Sequence, residues 1–333
     1  MKIRCLILFF CIAFSLKAKL CAQTPYSSQN FSMVNYLNPA NVGFSVNSQF
    51  NSFFRNQFAG VGDAFRTIGV AADFKLFKQA DDEPNIFGVG VQAVSEKVLG
   101  GALQTNYITV NFANRVFFNK LKTKYLSLGI GGSMITRNLD KTQLSFGDQY
   151  NSGRYFFNSS ADFVASFPTK YATNVGMMYN SSGQNMFFQL GASSYYIFRT
   201  AVNQSYNTVN QNFQMNYLFN FEHRILEENT ILFHADYQER LEVTNYYVGM
   251  ALGFPIPDKN ENTRRIYFGC FYRMKDATIP YIGYLFNKYK FGISYDIYQN
   301  NMTTANLHPQ TIEFNLTRSL GKNKSNKFVT FFN

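Results

Sequence analysis

The sequence predicts an all-β fold, a transmembrane antiparallel β-barrel of about 14 strands of the kind found in the bacterial outer membrane, and three observations predict it. Charged residues make up only 15% of the 333 residues while aromatic residues reach 18%, with 37 Phe, 22 Tyr and no Trp; a soluble domain usually carries nearer a quarter charged residues. Beyond the N-terminal segment, no window supplies the ~20 consecutive apolar residues of a membrane-spanning helix. Apolar residues instead alternate with small or polar ones, the pattern of strands that face lipid on one side and a lumen on the other.

The first element is a secretory signal. Lys2 and Arg4 precede an apolar run from Cys5 to Leu16, and the segment ends Cys21-Ala22-Gln23, so residues 1–22 read as a cleaved signal peptide with the mature chain starting at Gln23. About a dozen apolar residues are too few for a membrane anchor. Lys19-Leu20 before Cys21 argues against a lipid-modified cysteine, which wants small neighbours. Cys5, Cys11 and Cys21 leave with the signal, so Cys270 stands alone and an exported chain must fold without an intrachain disulfide. The mature chain keeps 27 Lys and Arg against 20 Asp and Glu, a net charge of +7. That excess is scattered and forms no basic stripe, which excludes a nucleic-acid module as partner surface.

Residues 23–43 form the next element. Asn38 before Pro39 favours extended backbone, Asn41-Val42-Gly43 offers a turn, and alternation begins at Phe44, so this segment leads the N-terminus into the barrel.

The barrel itself spans 44–320. In "TIGVAADFKLF" Ile68, Val70, Ala72, Phe74 and Leu76 fall on one face, and in "NFQMNYLFNFE" an apolar set from Phe213 to Phe221 opposes Gln214, Asn216, Leu218, Asn220 and Glu222. Strands are predicted near 44–57, 64–77, 85–97, 103–118, 124–137, 170–179, 185–198, 211–224, 230–240, 243–254, 264–274, 277–286, 288–297 and 309–320. A further alternating stretch at 154–167 would make the count odd. A single-chain barrel with both termini in the periplasm needs an even number, so 138–169 is assigned to a long external loop, together with 199–210 and 298–308. Pro280 lies inside a predicted strand and removes a ladder donor, which predicts a bulge there.

After Leu320 the tail 321–333, "GKNKSNKFVTFFN", follows the last strand into the periplasm. It reads as a frayed end or a docking segment, with the frayed end preferred because termini are commonly disordered.

Motifs that could carry chemistry have structural readings at hand. Gly88-Val89-Gly90-Val91-Gln92-Ala93 matches a dinucleotide-binding string, but it lies within one alternating strand and not at a strand-to-helix turn. His234, Asp236 and Gln238 share one strand face and read as a lumen-lining polar ladder, since no second ligand cluster accompanies His234. Cys270 alternates with Ile266, Phe268 and Tyr272 on an apolar face and reads as a small lipid-facing residue. The expectation is a noncatalytic chain with no cofactor and no metal.

Short motifs at both ends carry a resemblance. Asn38, Pro39, Ala40 and Gly43 soon after a signal peptide, followed by Arg55 and Gln57, and then Gly292, Ser294, Tyr295 and Asp296 in "FGISYDIYQNNM", resemble the PorP/SprF family of Bacteroidetes outer-membrane proteins. Glu313 in the alternating "TIEFNLTRSL" also matches, while Phe58 stands where that family usually has Trp. The resemblance implies a membrane barrel associated with the type IX secretion system, often dedicated to exporting or surface-attaching a large adhesin, including the filaments used in gliding.

Two function classes follow: an interaction protein of a secretion machine, or a pore or transporter for small solutes. The expected partners are outer-membrane lipid, a secreted adhesin with a type IX C-terminal signal domain, and other type IX components. The external loops offer Tyr150, Tyr155, Phe156, Phe157, Tyr206 and Met302 as candidate partner-binding residues, because aromatic anchors among adaptable polar groups suit protein recognition.

Overall fold

The computed structural model describes residues 27–43, 48–60, 62–76, 85–144, 167–197, 199–201, 214–225, 229–240, 243–257, 263–299, 309–320 and 331–332. The first strands are β1 (Ser48–Ala59), β2 (Phe65–Lys75), β3 (Asn85–Val98), β4 (Leu103–Phe117) and β5 (Lys124–Leu139). The middle of the chain supplies β6 (Lys170–Ser182), β7 (Met186–Tyr195), the short β8 (Arg199–Ala201), β9 (Gln214–Arg224) and β10 (Thr230–Arg240). The last are β11 (Val243–Pro255), β12 (Arg264–Arg273), β13 (Ala277–Phe286), β14 (Tyr289–Tyr298) and β15 (Gln310–Leu320).

Each strand other than β8 pairs antiparallel with its neighbours in sequence, and β1 closes the ring on β15, from Ser48 opposite Leu320 to Ala59 opposite Gln310. The result is a closed, up-and-down antiparallel barrel of 14 strands, which leaves no unpaired edge in the membrane. The fifteenth strand is outside that count. β8 continues the line of β7 after an irregular step at Tyr196 (φ 63°) and pairs with the first residues of β6; the sequence reading had placed 199–201 in a loop. Residues 145–166, which hold most of the long loop and the alternating stretch at 154–167, lie outside the described residues.

Period-two alternation sorts the wall as expected. Ile68 is 55% exposed and its neighbour Thr67 5%, and the same contrast runs around the barrel in Phe87, Phe112, Leu190, Met250, Ile282 and Ile293, all exposed. These side chains have only lipid to bury against, so the lipid-facing surface is a continuous apolar belt. Cys270 belongs to it, exposed and paired across the sheet with Met250 and Pro280. The bulge predicted at Pro280 is absent. The β13–β14 ladder skips Ile279 and Pro280 and resumes in the same register at Tyr281 opposite Ser294, so the missing donor interrupts the ladder without shifting it.

Inward-facing positions are polar and buried, among them Thr109, Asn174, Gln189, Asn220, Glu222 and Thr311. A water-filled channel would leave such groups accessible. Here they are covered, some by one another and some by the ends of the chain, as Gln189 by Asn41 and Glu222 by Phe331.

Candidate functional site in the barrel lumen

Residues 27–43 do more than lead into β1, because they lie inside the barrel. Ser27 to Phe31, Met33 and Leu37 to Gly43 are buried, and Ser32, Asn35 and Tyr36 are half-buried. The segment has little regular structure: two single turns, Asn30–Ser32 and Pro39–Asn41, flank a four-residue helical turn, Val34–Leu37. Its backbone polar groups therefore lack a ladder and must be satisfied by the wall or lose free energy.

The wall is built to satisfy them. Tyr247 Oη donates to the Ser28 carbonyl at 2.6 Å, Ser193 Oγ and Asn216 Nδ2 donate to the Leu37 carbonyl at 2.5 and 3.1 Å, Ser127 Oγ donates to the Ala40 carbonyl at 2.6 Å, and Arg115 donates to the Gly43 carbonyl at 2.9 Å. In the other direction Ser28 and Gln29 donate backbone N–H groups to Glu313 at 2.7 and 3.2 Å. Side chains join in as well: Asn30 donates to Asp236, Asn35 to Asp73 and Gln29 to Ser294.

Asn38 explains the local shape. Its backbone is extended (φ −150°, ψ 118°), as a residue before proline prefers. Its side chain caps the following turn by accepting from the Ala40 N–H at 2.9 Å, and donates outward to the carbonyls of Met177 and Ala192 on β6 and β7. One side chain thus folds the turn and ties it to two strands.

The wall also makes room. A Cβ at Gly129 would lie 2.3 Å from the Ala40 nitrogen, and one at Gly176 would lie 2.1 Å from Asn38 Oδ1, so the turn rests directly on wall backbone. Gly88 and Gly90 do the same for Val42, whose carbonyl and Cγ1 would meet their Cβ atoms at 2.4 and 2.5 Å. The glycine string that mimics a nucleotide motif is a seat for the N-terminal segment. Gly129→Val is expected to dislodge Pro39–Asn41 while the barrel still forms, read as new protease cleavage within 27–43 of folded protein. A segment that stays resistant would contradict this seating.

The family-motif residues converge in this lumen. Arg55, buried in β1, pairs with Asp296 on β14 at 3.1 Å and with Glu313 on β15 at 3.4 Å, and donates to Gln57 at 2.6 Å. Arg273 on β12 completes the cluster at 2.9 Å from Asp296. Glu313 therefore sits between a guanidinium and the donors of Ser27, Ser28 and Gln29. A Cβ at Gly292 would meet Gln29 Oε1 at 2.3 Å. Tyr295 is the exception, since it points outward and is 41% exposed. Phe58, at the position of the expected Trp, has φ 61° at an irregular step in the β1–β15 ladder and packs against Tyr298 and Phe65.

The His234 ladder is part of the same lining. His234 Nδ1 contacts Asn220 Oδ1, its Nε2 lies 3.0 Å from Asp236, and Gln238 donates to the other Asp236 oxygen. The ring is edge-on to Phe31 of the N-terminal segment.

The end of the chain departs from expectation. The tail was read as a frayed periplasmic segment, but Phe331 and Phe332 are buried in the lumen against Phe31, Tyr267 and Phe187. Two adjacent aromatic rings gain more from that apolar cluster than the free terminus gains in entropy. Tyr150, Tyr155, Phe156, Phe157, Tyr206 and Met302, the candidate loop anchors, lie outside the described residues, as do residues 1–22, the expected signal peptide.

Comparison with known proteins adds a family. A family model described as type IX secretion system membrane protein PorP/SprF matches residues 20–317. None of the curated proteins compared with the chain matches it. Solved barrels are similar at low identity. The CymD monoaromatic hydrocarbon channel is 10% identical, with a TM-score of 0.49 over 91% of this chain and 95% of its own. The toluene transporter TbuX of Ralstonia pickettii is 9% identical, with a TM-score of 0.48 over 87% and 94%. The KdgM porin in complex with oligogalacturonate is 9% identical, with a TM-score of 0.37 over 82% and 99%.

Proposed function

The chain belongs to the PorP/SprF family of type IX secretion system membrane proteins, and from that premise we propose that it is a noncatalytic outer-membrane barrel that assists export or surface attachment of one large secreted adhesin. The adhesin is recognised through its type IX C-terminal signal region, and filaments used in gliding are the class of cargo that suits the family. Other components of the secretion machine are the remaining partners.

The observation that carries this reading is the occupied lumen. A solute pore keeps a polar wall in contact with water, whereas here wall residues such as Ser127, Ser193, Tyr247 and Glu313 spend their hydrogen bonds on the chain's own N-terminal segment. A barrel that fills its own lumen is better suited to holding a partner than to sieving solutes. The polar and aromatic external loops support the same reading, as surfaces rich in adaptable contacts.

The test is genetic and proteomic. Deleting the gene is expected to remove one large protein from the cell surface while other type IX substrates remain, and replacing the 138–169 loop with a short Gly/Ser linker is expected to reproduce part of that loss. If every surface protein persists in the deletion strain while uptake of a small solute collapses, the pore reading replaces this one.

A further inference from the structure

The seat of Phe331 is a built site. The Phe331 backbone N–H donates to Glu222 Oε2 at 2.6 Å, and Lys290 Nζ donates to the Phe331 carbonyl while lying 5.4 Å from the centre of its ring. Glu222 and Lys290 come from β9 and β14, so a buried carboxylate and a half-buried ammonium reach the same residue from separate parts of the wall. The ring itself is held by Tyr267 at 4.6 Å and Phe31 at 5.8 Å, and Phe332 stacks toward Phe187 and His234. Burying a carboxylate and an ammonium in a lumen is costly unless each finds a partner. Here both groups meet one residue, the carboxylate at the Phe331 N–H and the ammonium at the Phe331 carbonyl.

We propose that this end of the lumen, where β1 begins and β15 ends, is a binding site for a short peptide that presents two adjacent aromatic residues in a turn, and that the chain's own Phe331 and Phe332 are its resident occupant. Every polar contact to Phe331 is made to main-chain atoms, and selectivity comes from the rings. Any segment that presents an aromatic pair in the same turn therefore meets the same donors, acceptors and ring faces. The intervening residues 321–330 can span up to roughly 33 Å when extended, ample to return from β15 into the lumen. Tethering at that length keeps the terminus at an effective concentration on the order of millimolar. A partner peptide from the periplasmic side thus competes with a built-in ligand, and it enters when the terminus is withdrawn or outcompeted. This inference names an occupant of the lumen and does not depend on the adhesin reading, which uses the filled lumen only to argue against a solute pore.

The test uses a fluorescent peptide of residues 327–333 and purified barrel in detergent. A chain truncated after Gly321 and, independently, a full-length Phe331→Ala/Phe332→Ala variant both vacate the site; folding of each is checked by heat-modifiable migration. Both are expected to bind the peptide saturably, at least about tenfold more tightly than the intact chain, as an effective-concentration effect demands. A peptide carrying the same two alanines should not bind, and Glu222→Gln in the truncated chain should weaken binding several-fold. Absence of saturable binding to both vacated forms, or equal binding to the intact chain, overturns the proposal. So does equal binding of the alanine peptide.

Discussion

Deleting Ser27–Asn41 is expected to turn a closed barrel into an open one, with single-channel conductance in planar bilayers rising by roughly an order of magnitude. The argument rests on size. Eight strands enclose a lumen that side chains alone can fill, whereas sixteen leave an aqueous channel; a ring of 14 lies near the open end of that range. What occupies the space here is the N-terminal segment packed among long inward side chains such as Arg55, Arg115, Tyr247 and Tyr267. Gly129 and Gly176 face the lumen where the Pro39 turn lies, and Leu218, the apolar residue among the inward-facing Gln214, Asn216, Asn220 and Glu222, packs against Leu37 and Ala40. Once the segment is gone, glycine seats and short serines face water and cannot reach across the gap. The barrel should survive, because its ladders run from strand to strand and do not pass through the segment. A folded, heat-modifiable variant with conductance no higher than the intact chain would show that something other than residues 27–41 closes the lumen.

The wall was legible in the sequence and the contents were not, for reasons that particular residues make clear. Ile68 against Thr67, or Tyr217 against Asn216, differ in polarity at every step, and the pleat converts that difference directly into lipid-facing and lumen-facing positions. Fourteen strands could be placed from this signal together with the even count that a single-chain barrel needs, and Cys270 and the His234 ladder fell on the faces expected of them. Asn38-Pro39-Ala40-Asn41 has no period, because a segment that folds against a surface takes its shape from the partner surface. The clue lay instead in the wall. Gly88, Gly90, Gly129 and Gly292 occupy inward positions where a water-filled channel has no need of glycine, and each faces an atom of the N-terminal segment. The tail was misread for a related reason: Phe331 and Phe332 look like a loose apolar end until Tyr267, Phe31 and Lys290, distant in sequence, are brought beside them. Arg55, Asp296 and Glu313 could be picked out as motif residues, but only the closure of β1 on β15, with β14 beside it, brings them together.

That closure makes Arg55 the wall residue whose loss should hurt most. Arg55→Met is expected to destabilise the barrel by about 3–5 kcal/mol, the usual cost of removing one partner from a buried ion cluster. Arg55 and Arg273 face Asp296 and Glu313 with all four side chains buried; without Arg55, one guanidinium remains for two carboxylates. Arg273 already reaches Asp296 and Asp276, at 2.9 and 2.5 Å, so the deficit falls on Glu313. Glu313 would keep its donors from Ser27, Ser28 and Gln29, which solvate the carboxylate but do not neutralise it. The double variant Arg55→Met/Glu313→Gln removes the stranded charge and leaves one amide oxygen, able to accept from the Ser28 or the Gln29 N–H but not from both, so it should recover part of the loss. Urea unfolding of detergent-solubilised barrel, followed by the conversion of the heat-modifiable form, reads both. If Arg55→Met costs less than about 1 kcal/mol, or the double variant is less stable than the single, the cluster acts as an exposed salt bridge would and not as a buried one.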